Sequence, residues 1–336
     1  MSRFLVSVDA AELGHAERTP LATTRAWWLA CDEKSDSAGW RATPIVQQIW
    51  KGDMGVEVGD RAYGAYGFRF LGLDEAAPLL NEVPADWPTV EVRQETGPAD
   101  ASELRVGSED ADLALITGGR VLISRRPPAA VFSVPEPLTV EEMVHPYLAP
   151  VGSVLALWRG WLPFHSSAIV VAGRAWGIVG GREVGKSTLA ASFAVRDLPV
   201  VTDDVLVVGE DRFVYAGPRT LDLRRSAASH LGLGHDLGVV GMRERWRLGL
   251  TAVPDSVPLG GWVFLAWGDE VKVERCGVAN RLRCLAESRS VGGPGTDPQQ
   301  LLRLTGLPAF DYVRPRDWDI SEKSVDRLIE VLGSVG

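Results

Sequence analysis

The chain has 336 residues, 46% apolar and 24% charged, and its 35 basic against 44 acidic side chains give a formal net charge of -9. That length is above one average domain, and the composition suits a globular chain that buries a large core, which excludes a disordered or collagen-like protein. The acidic balance argues against nucleic acid as a partner, because phosphate backbones require a basic footprint.

The first 60 residues hold a strand-like Phe4–Val8 and a Trp-rich stretch with Trp27, Trp28, Trp40 and Trp50. From about Arg61 to Pro135 the segments TVEVR, LALIT, RVLISRR and AVFSV, separated by Pro and Gly, predict short strands. Thr139 and Glu142 have capping-box spacing, and the helical pattern that follows to Leu157 is expected to bend near Pro146 and Pro150. The change of character there predicts two domains: a strand-rich α+β domain over 1–145 and an α/β domain over 146–336. Within the second, SAIVVAGRAWGIVG predicts a hairpin, KSTLAASFA a helix, and LPVVTDDVLVV two strands joined by an acidic turn. The final helix has Ser321 as its expected N-cap, Val325, Leu328, Ile329 and Leu332 on one face, and Gly333 at its end. Cys31, Cys276 and Cys284 include no CxxC pair, so neither a disulfide framework nor a zinc cluster is indicated. The N-terminal segment lacks a cleavage-like stretch and no run of eighteen apolar residues occurs, so a soluble cytoplasmic protein with no membrane partner is expected.

The strongest local signal is Gly180-Gly181-Arg182-Glu183-Val184-Gly185-Lys186-Ser187, which fits the phosphate-loop pattern GxxxxGK[ST], with an apolar strand before it and a helix after it. Glycines let successive backbone N–H groups face phosphate oxygens, and the helix N-terminus adds partial positive charge. Lys186 can reach the β- and γ-phosphates and Ser187 can ligate Mg²⁺; Thr188 continues the binding segment. Asp203-Asp204 follows an apolar run, 17 residues after Lys186. Acids at a strand end beside a phosphate loop can hold the metal or take a proton from an attacking hydroxyl, and two adjacent acids can divide that work. His165, 21 residues before Lys186, can adjust a nearby carboxylate. Arg243-Glu244-Arg245-Trp246-Arg247 is a basic cluster that could clamp phosphate charge, with Arg245 at its centre.

Together these elements, over Pro163–Val208, resemble the HPr kinase/phosphorylase family: a His at a strand start, a phosphate loop after a hairpin, and an Asp-Asp pair after a short helix. The resemblance implies a fold similar to phosphoenolpyruvate carboxykinase, with the phosphate loop in a mixed sheet, and ATP- and Mg²⁺-dependent phosphorylation of a serine hydroxyl. Carried over by position, it implies Asp203 as general base with His165 beside it, Lys186 on the phosphates, and Ser187 and Asp204 on the metal. Asp222-Leu223-Arg224 matches a downstream acidic-x-Arg element, adding Asp222 to the metal set. Family members are often homo-oligomers. The family's later proline-glycine-arginine-asparagine signature is missing, and residues 1–145 do not match its N-terminal domain. Related kinases that modify serine in ribosomally made peptides, lasso peptides among them, are therefore the nearer likeness, with a peptide or small protein as acceptor. A kinase of free serine or a sugar, and an ATP-dependent switch without phosphotransfer, stay open.

Other features carry no chemistry at this stage. His230 and His235 lie five apart, off a common helix face, and no HExxH, GxSxG or GxGxxG fingerprint occurs. Gly292–Thr296 is expected as a surface loop, and Arg314–Trp318 as a segment docking the last helix.

Overall fold

Alternating burial organises the first sheet. The computed structural model describes residues 62–98, 105–292 and 298–335, all within one compact unit. The expected strand at Phe4–Val8, the early tryptophans, Cys31 and most of the Gly292–Thr296 loop lie outside the described residues. The first sheet contains β1 (Ala62–Ala65), β2 (Phe68–Leu71), β3 (Asn81–Val83), β4 (Thr89–Thr96), β5 (Arg105–Val106), β6 (Asp110–Ala114), β7 (Arg120–Arg125) and β8 (Pro128–Val134). Its order is β3-β1-β2-β4-β8-β7-β6-β5, parallel at β2–β4 and β4–β8 and antiparallel elsewhere. Val90 and Val92 of β4 and Val121 and Ile123 of β7 point inward, while Glu91, Arg93 and Leu122 face out, as the two-residue period of a strand requires. TVEVR, RVLISRR and AVFSV thus fall on β4, β7 and β8, and LALIT begins on β6.

The capping box forms: the Thr139 hydroxyl accepts from the Glu142 amide at 3.2 Å and the Glu142 carboxylate accepts from the Thr139 amide at 3.0 Å, opening α1 (Val140–Glu142). The helix then breaks at His145, whose backbone is extended (φ -148, ψ 122) ahead of Pro146, as a residue before proline prefers. Pro150 sits in the first turn of α2 (Leu148–Trp158), where no intrahelical N–H is lost, so the bend is at Pro146. Every residue of α2 is buried. The helix shares one core with Val92, Val121 and Phe132 of the first sheet and with Val205 and Val207 from beyond it, which is the environment of a helix apolar all round. Gly152 is required there, since a Cβ would lie 2.4 Å from the Tyr66 ring.

The second sheet comprises β9 (Leu162–Phe164), β10 (Ser166–Val171), β11 (Arg174–Val179), β12 (Val200–Thr202), β13 (Leu206–Val208) and β14 (Phe213–Tyr215), completed further along the chain. A small third sheet, β15 (Thr220–Leu223), β16 (His235–Val240) and β17 (Arg243–Gly249), intervenes with β17 in the middle. Strands β18 (Ser256–Trp267), β19 (Lys272–Arg275) and β20 (Ala309–Arg314) return to the second sheet. There β11, β18 and β20 are parallel neighbours, flanked by antiparallel β10 and β19. Helices α3 (Lys186–Ala194), α4 (Arg225–Leu231), α5 (Val278–Glu287), α6 (Pro298–Thr305) and α7 (Trp318–Gly333) complete the structure. The architecture is α/β with large mixed sheets, the class expected.

The hairpin, helix and strand–turn–strand expected between residues 167 and 208 are β10–β11, α3 and β12–β13. The last helix is longer than expected. Asp317, not Ser321, is its N-cap and accepts from the Asp319 amide at 3.0 Å, while Val325, Leu328 and Leu332 are buried.

Candidate functional site

In open α/β sheets, ligands bind outside the carboxyl ends of parallel strands, where loops diverge. Here β11 exits into Gly180–Gly185, β18 ends at Trp267 and β20 ends at Arg314, and a cavity of about 460 Å³ lies among these exits and the Asp203-Asp204 turn. Arg182, Glu183, Gly185, Lys186, Ser187 and Thr188 line it, whereas Gly180, Gly181 and Val184 do not.

The loop's shape depends on two residues with positive φ, Glu183 (63°) and Gly185 (88°). Gly185 is the N-cap position of α3, and a Cβ there would come within 2.8 Å of the Arg314 guanidinium. That guanidinium is buried, donates to the Val184 carbonyl at 2.8 Å and lies 4.4 Å over the Trp267 ring, so β20 and β18 brace the loop from below. The Lys186 ammonium donates to the Gly180 and Gly181 carbonyls at 2.9 and 3.2 Å, which holds it inside the loop. Burial lowers its pKa, opposed by the charges of Asp204 and Asp203.

The two acids have different surroundings. Asp203 is 8% exposed, accepts from the Ser167 hydroxyl at 2.5 Å, and lines the cavity together with Ser187. Burial raises its pKa, the Ser167 hydrogen bond opposes this, and the Asp204 charge adds to it. Asp204 takes a positive φ of 69°, in the left-handed region that Asp and Asn visit more readily than other side chains. Its carboxylate lies 3.3 Å from His165 Nδ1. Burial alone would raise the Asp204 pKa; the hydrogen bond and charge of His165, with the charge of His145, hold it far below the usual carboxylate range instead. The structure therefore brings His165 to Asp204, whereas the sequence reading put His165 beside Asp203. The Ser187 hydroxyl and Asp203 carboxylate form a hard-oxygen pair at the loop. That donor set fits Mg²⁺, which uses one or two carboxylates and takes its other ligands from water and phosphate. Among the described residues there is no cluster of three or more His, Cys, Asp or Glu side chains suited to a metal.

Asp222 also faces the cavity, but both its carboxylate oxygens accept from Arg247, at 2.7 and 2.9 Å, so its lone pairs serve a structural ion pair. Arg245, the expected clamp, contacts His145 Nε2 at 3.2 Å and stands 3.9 Å from Asp222. His145 has no signature in the sequence beyond preceding a proline. Since a guanidinium only donates, His145 Nε2 accepts in this contact, which fits an imidazole that is neutral at pH 7 and gains charge only in the acid range where Asp204 and Asp222 titrate. Burial lowers its pKa, partly opposed by Asp222. With the folded value below the unfolded 6.5, the unfolded chain takes up the proton first as pH falls, so stability is full above pH 6.5 and declines below it. Replacing His145 with Gln keeps an acceptor and removes the titration. The expected result is a smaller drop in melting temperature between pH 7 and 5.5 than in the native protein, and an unchanged drop would refute the assignment.

Sequence reasoning also missed Arg314, Trp267 and Ser167. Only the strand-period spacing of Arg243, Arg245 and Arg247 held a signal that the arginines share a face.

A scan against protein-family models finds no match, and a search of curated proteins finds none either. Solved structures that match include the Hpr(Ser) kinase/phosphatase from Coxiella burnetii, at 13% identity and a TM-score of 0.25, over 50% of this chain and 96% of that one.

Proposed function

We propose that the chain is a Mg·ATP-dependent phosphotransferase that moves the γ-phosphate to a hydroxyl, a serine of a peptide or small protein. One observation carries this reading: a phosphate loop, a Ser–Asp oxygen pair and an Asp–His pair converge on one cavity at the ends of three parallel strands. A nucleotide switch needs the first two; the Asp204–His165 pair is what an acceptor hydroxyl requires.

In this reading the Gly180–Thr188 segment and Lys186 hold the nucleotide phosphates. Ser187 and Asp203 would hold Mg²⁺, which when bound neutralises charge on the β- and γ-phosphate oxygens. The acceptor oxygen forms its bond to the γ-phosphorus as the bond from that phosphorus to the bridging oxygen breaks, releasing ADP. The hydroxyl proton passes to the His165–Asp204 pair, in which the ionised Asp204 orients the imidazole and stabilises its charged form. Acceptor recognition is assigned to the region before residue 146, which brings His145 to the cavity.

The test is to incubate the purified protein with an extract of its host and γ-labelled Mg·ATP. Label in an acid-stable peptide supports the serine kinase. Label only in small molecules replaces the acceptor class, and label only in free phosphate refutes transfer. Lys186→Ala is the control: loss of a charge-assisted phosphate contact should weaken ATP binding about 10- to 100-fold, read by titration calorimetry. Unchanged ATP affinity in that variant would refute the phosphate-loop assignment.

A further inference from the structure

Strand side chains alternate, so Arg243, Arg245 and Arg247 share one face of β17. Their partners thin out along the strand. Arg247 is 7% exposed and locked on Asp222. Arg245 is half-buried against His145. Arg243 is half-buried at the cavity, and among the described residues no hydrogen bond or ion pair reaches its guanidinium. Its surroundings are positive: burial, then the charges of Arg224, Arg245 and Arg182, push its pKa down to about 10. The acid that offsets them, Glu183, already pairs with Arg224 at 2.9 Å. Converging guanidiniums repel one another unless an anion sits among them, and a planar donor fork matches phosphate or carboxylate oxygens. The nucleotide phosphates do not need this group, since Lys186, the loop amides and the α3 N-terminus already face them.

We propose that Arg243 anchors a second oxyanion subsite beside the phosphate loop, which takes a phosphate or carboxylate carried by the acceptor. The acceptor would then be an anionic molecule or an acidic segment that presents its hydroxyl to Asp204 and His165 while its charge rests on Arg243. The part concerning the acceptor rests on the phosphotransfer reading; the subsite itself does not.

The experiment titrates inorganic phosphate into the protein saturated with a non-hydrolysable Mg·ATP analogue. The native protein should still bind phosphate. Arg243→Gln should weaken that binding about tenfold or more while nucleotide affinity stays within about twofold. Two results overturn the subsite: phosphate binding that disappears once nucleotide is bound, or a variant that loses nucleotide affinity instead. If the native protein binds no nucleotide, the phosphotransferase reading fails by itself, and phosphate titrated into Lys186→Ala with and without Arg243→Gln still reads the subsite. In the labelled extract, phosphate that competes with the acceptor places the anion on the acceptor. Phosphate that binds without competing assigns the subsite to free phosphate and overturns the acceptor assignment.

Discussion

Asp204→Asn should slow phosphotransfer about 10²- to 10⁴-fold and leave Mg·ATP affinity within about threefold, whereas Asp203→Asn should lose the Mg²⁺-dependent part of ATP binding. The difference follows from the partners of each acid. Asp204 faces His165, and its folded pKa is held low, so it is ionised at neutral pH and can support a positive imidazole. Asn tolerates the positive φ of this position, so the backbone survives the change, but the amide cannot stabilise the imidazolium. Asp203 is buried on Ser167 with its pKa raised. A raised folded pKa stabilises at low pH, and that stability is lost as pH rises through it, so a neutral amide at 203 should not lower the melting temperature at pH 7. Calorimetry with and without Mg²⁺, together with kcat and KM, separates the roles. Full Mg²⁺-dependent affinity with lost turnover in Asp203→Asn would make Asp203 the proton acceptor, as its position in the family resemblance implies.

The phosphate loop was legible because its chemistry is local. Backbone amides that cradle phosphate need glycine, a lysine and a following helix in one short segment, and strand β11 and helix α3 flank it where the pattern required. That the two acids divide their work was legible, but not which of them meets His165, because that depends on the left-handed backbone at Asp204, and many residues can follow a strand without one. His145 was hidden for a related reason. Helical periodicity runs through it, and only the extended backbone ahead of Pro146 turns its ring to the cavity. Arg314 was read as a dock for the last helix, yet it braces the Val184 carbonyl 130 positions earlier. Parallel strands β11, β18 and β20 create that contact, and their pairing is a non-local fact. Ser321 has the residue type of an N-cap, but Asp317 reaches a free amide first and starts α7 sooner.

Asp222→Ala is expected to destabilise the fold by about 3–5 kcal/mol, the cost of leaving a buried guanidinium without its counter-ion. Asp222 and Arg247 are directly opposite in the β15–β17 register, and the two hydrogen bonds between them form a bidentate pair. Arg247 also donates to the carbonyls of Glu141, at 3.2 Å, and His145, at 3.4 Å, so the same guanidinium ties the third sheet to the segment that carries His145. Removing the carboxylate leaves that charge nearly dry. Replacing both partners, Asp222→Leu with Arg247→Met, removes the uncompensated charge and should recover a large part of the loss, which urea unfolding of the two single variants and the double can measure. Although burial opposes it, His145 and Arg247 lower the Asp222 pKa, so the pair stabilises fully above the unfolded value of 3.8 and its contribution fades as pH falls through the lower folded value. The Asp222 titration itself therefore adds no change to the native-minus-variant difference between pH 7 and 5; growth of that difference below pH 6.5 reports His145, whose pKa the Asp222 charge raises. A loss below about 1 kcal/mol in Asp222→Ala, with Mg²⁺ dependence weakened instead, would return Asp222 to the metal set and make Arg247 a neighbour rather than a partner.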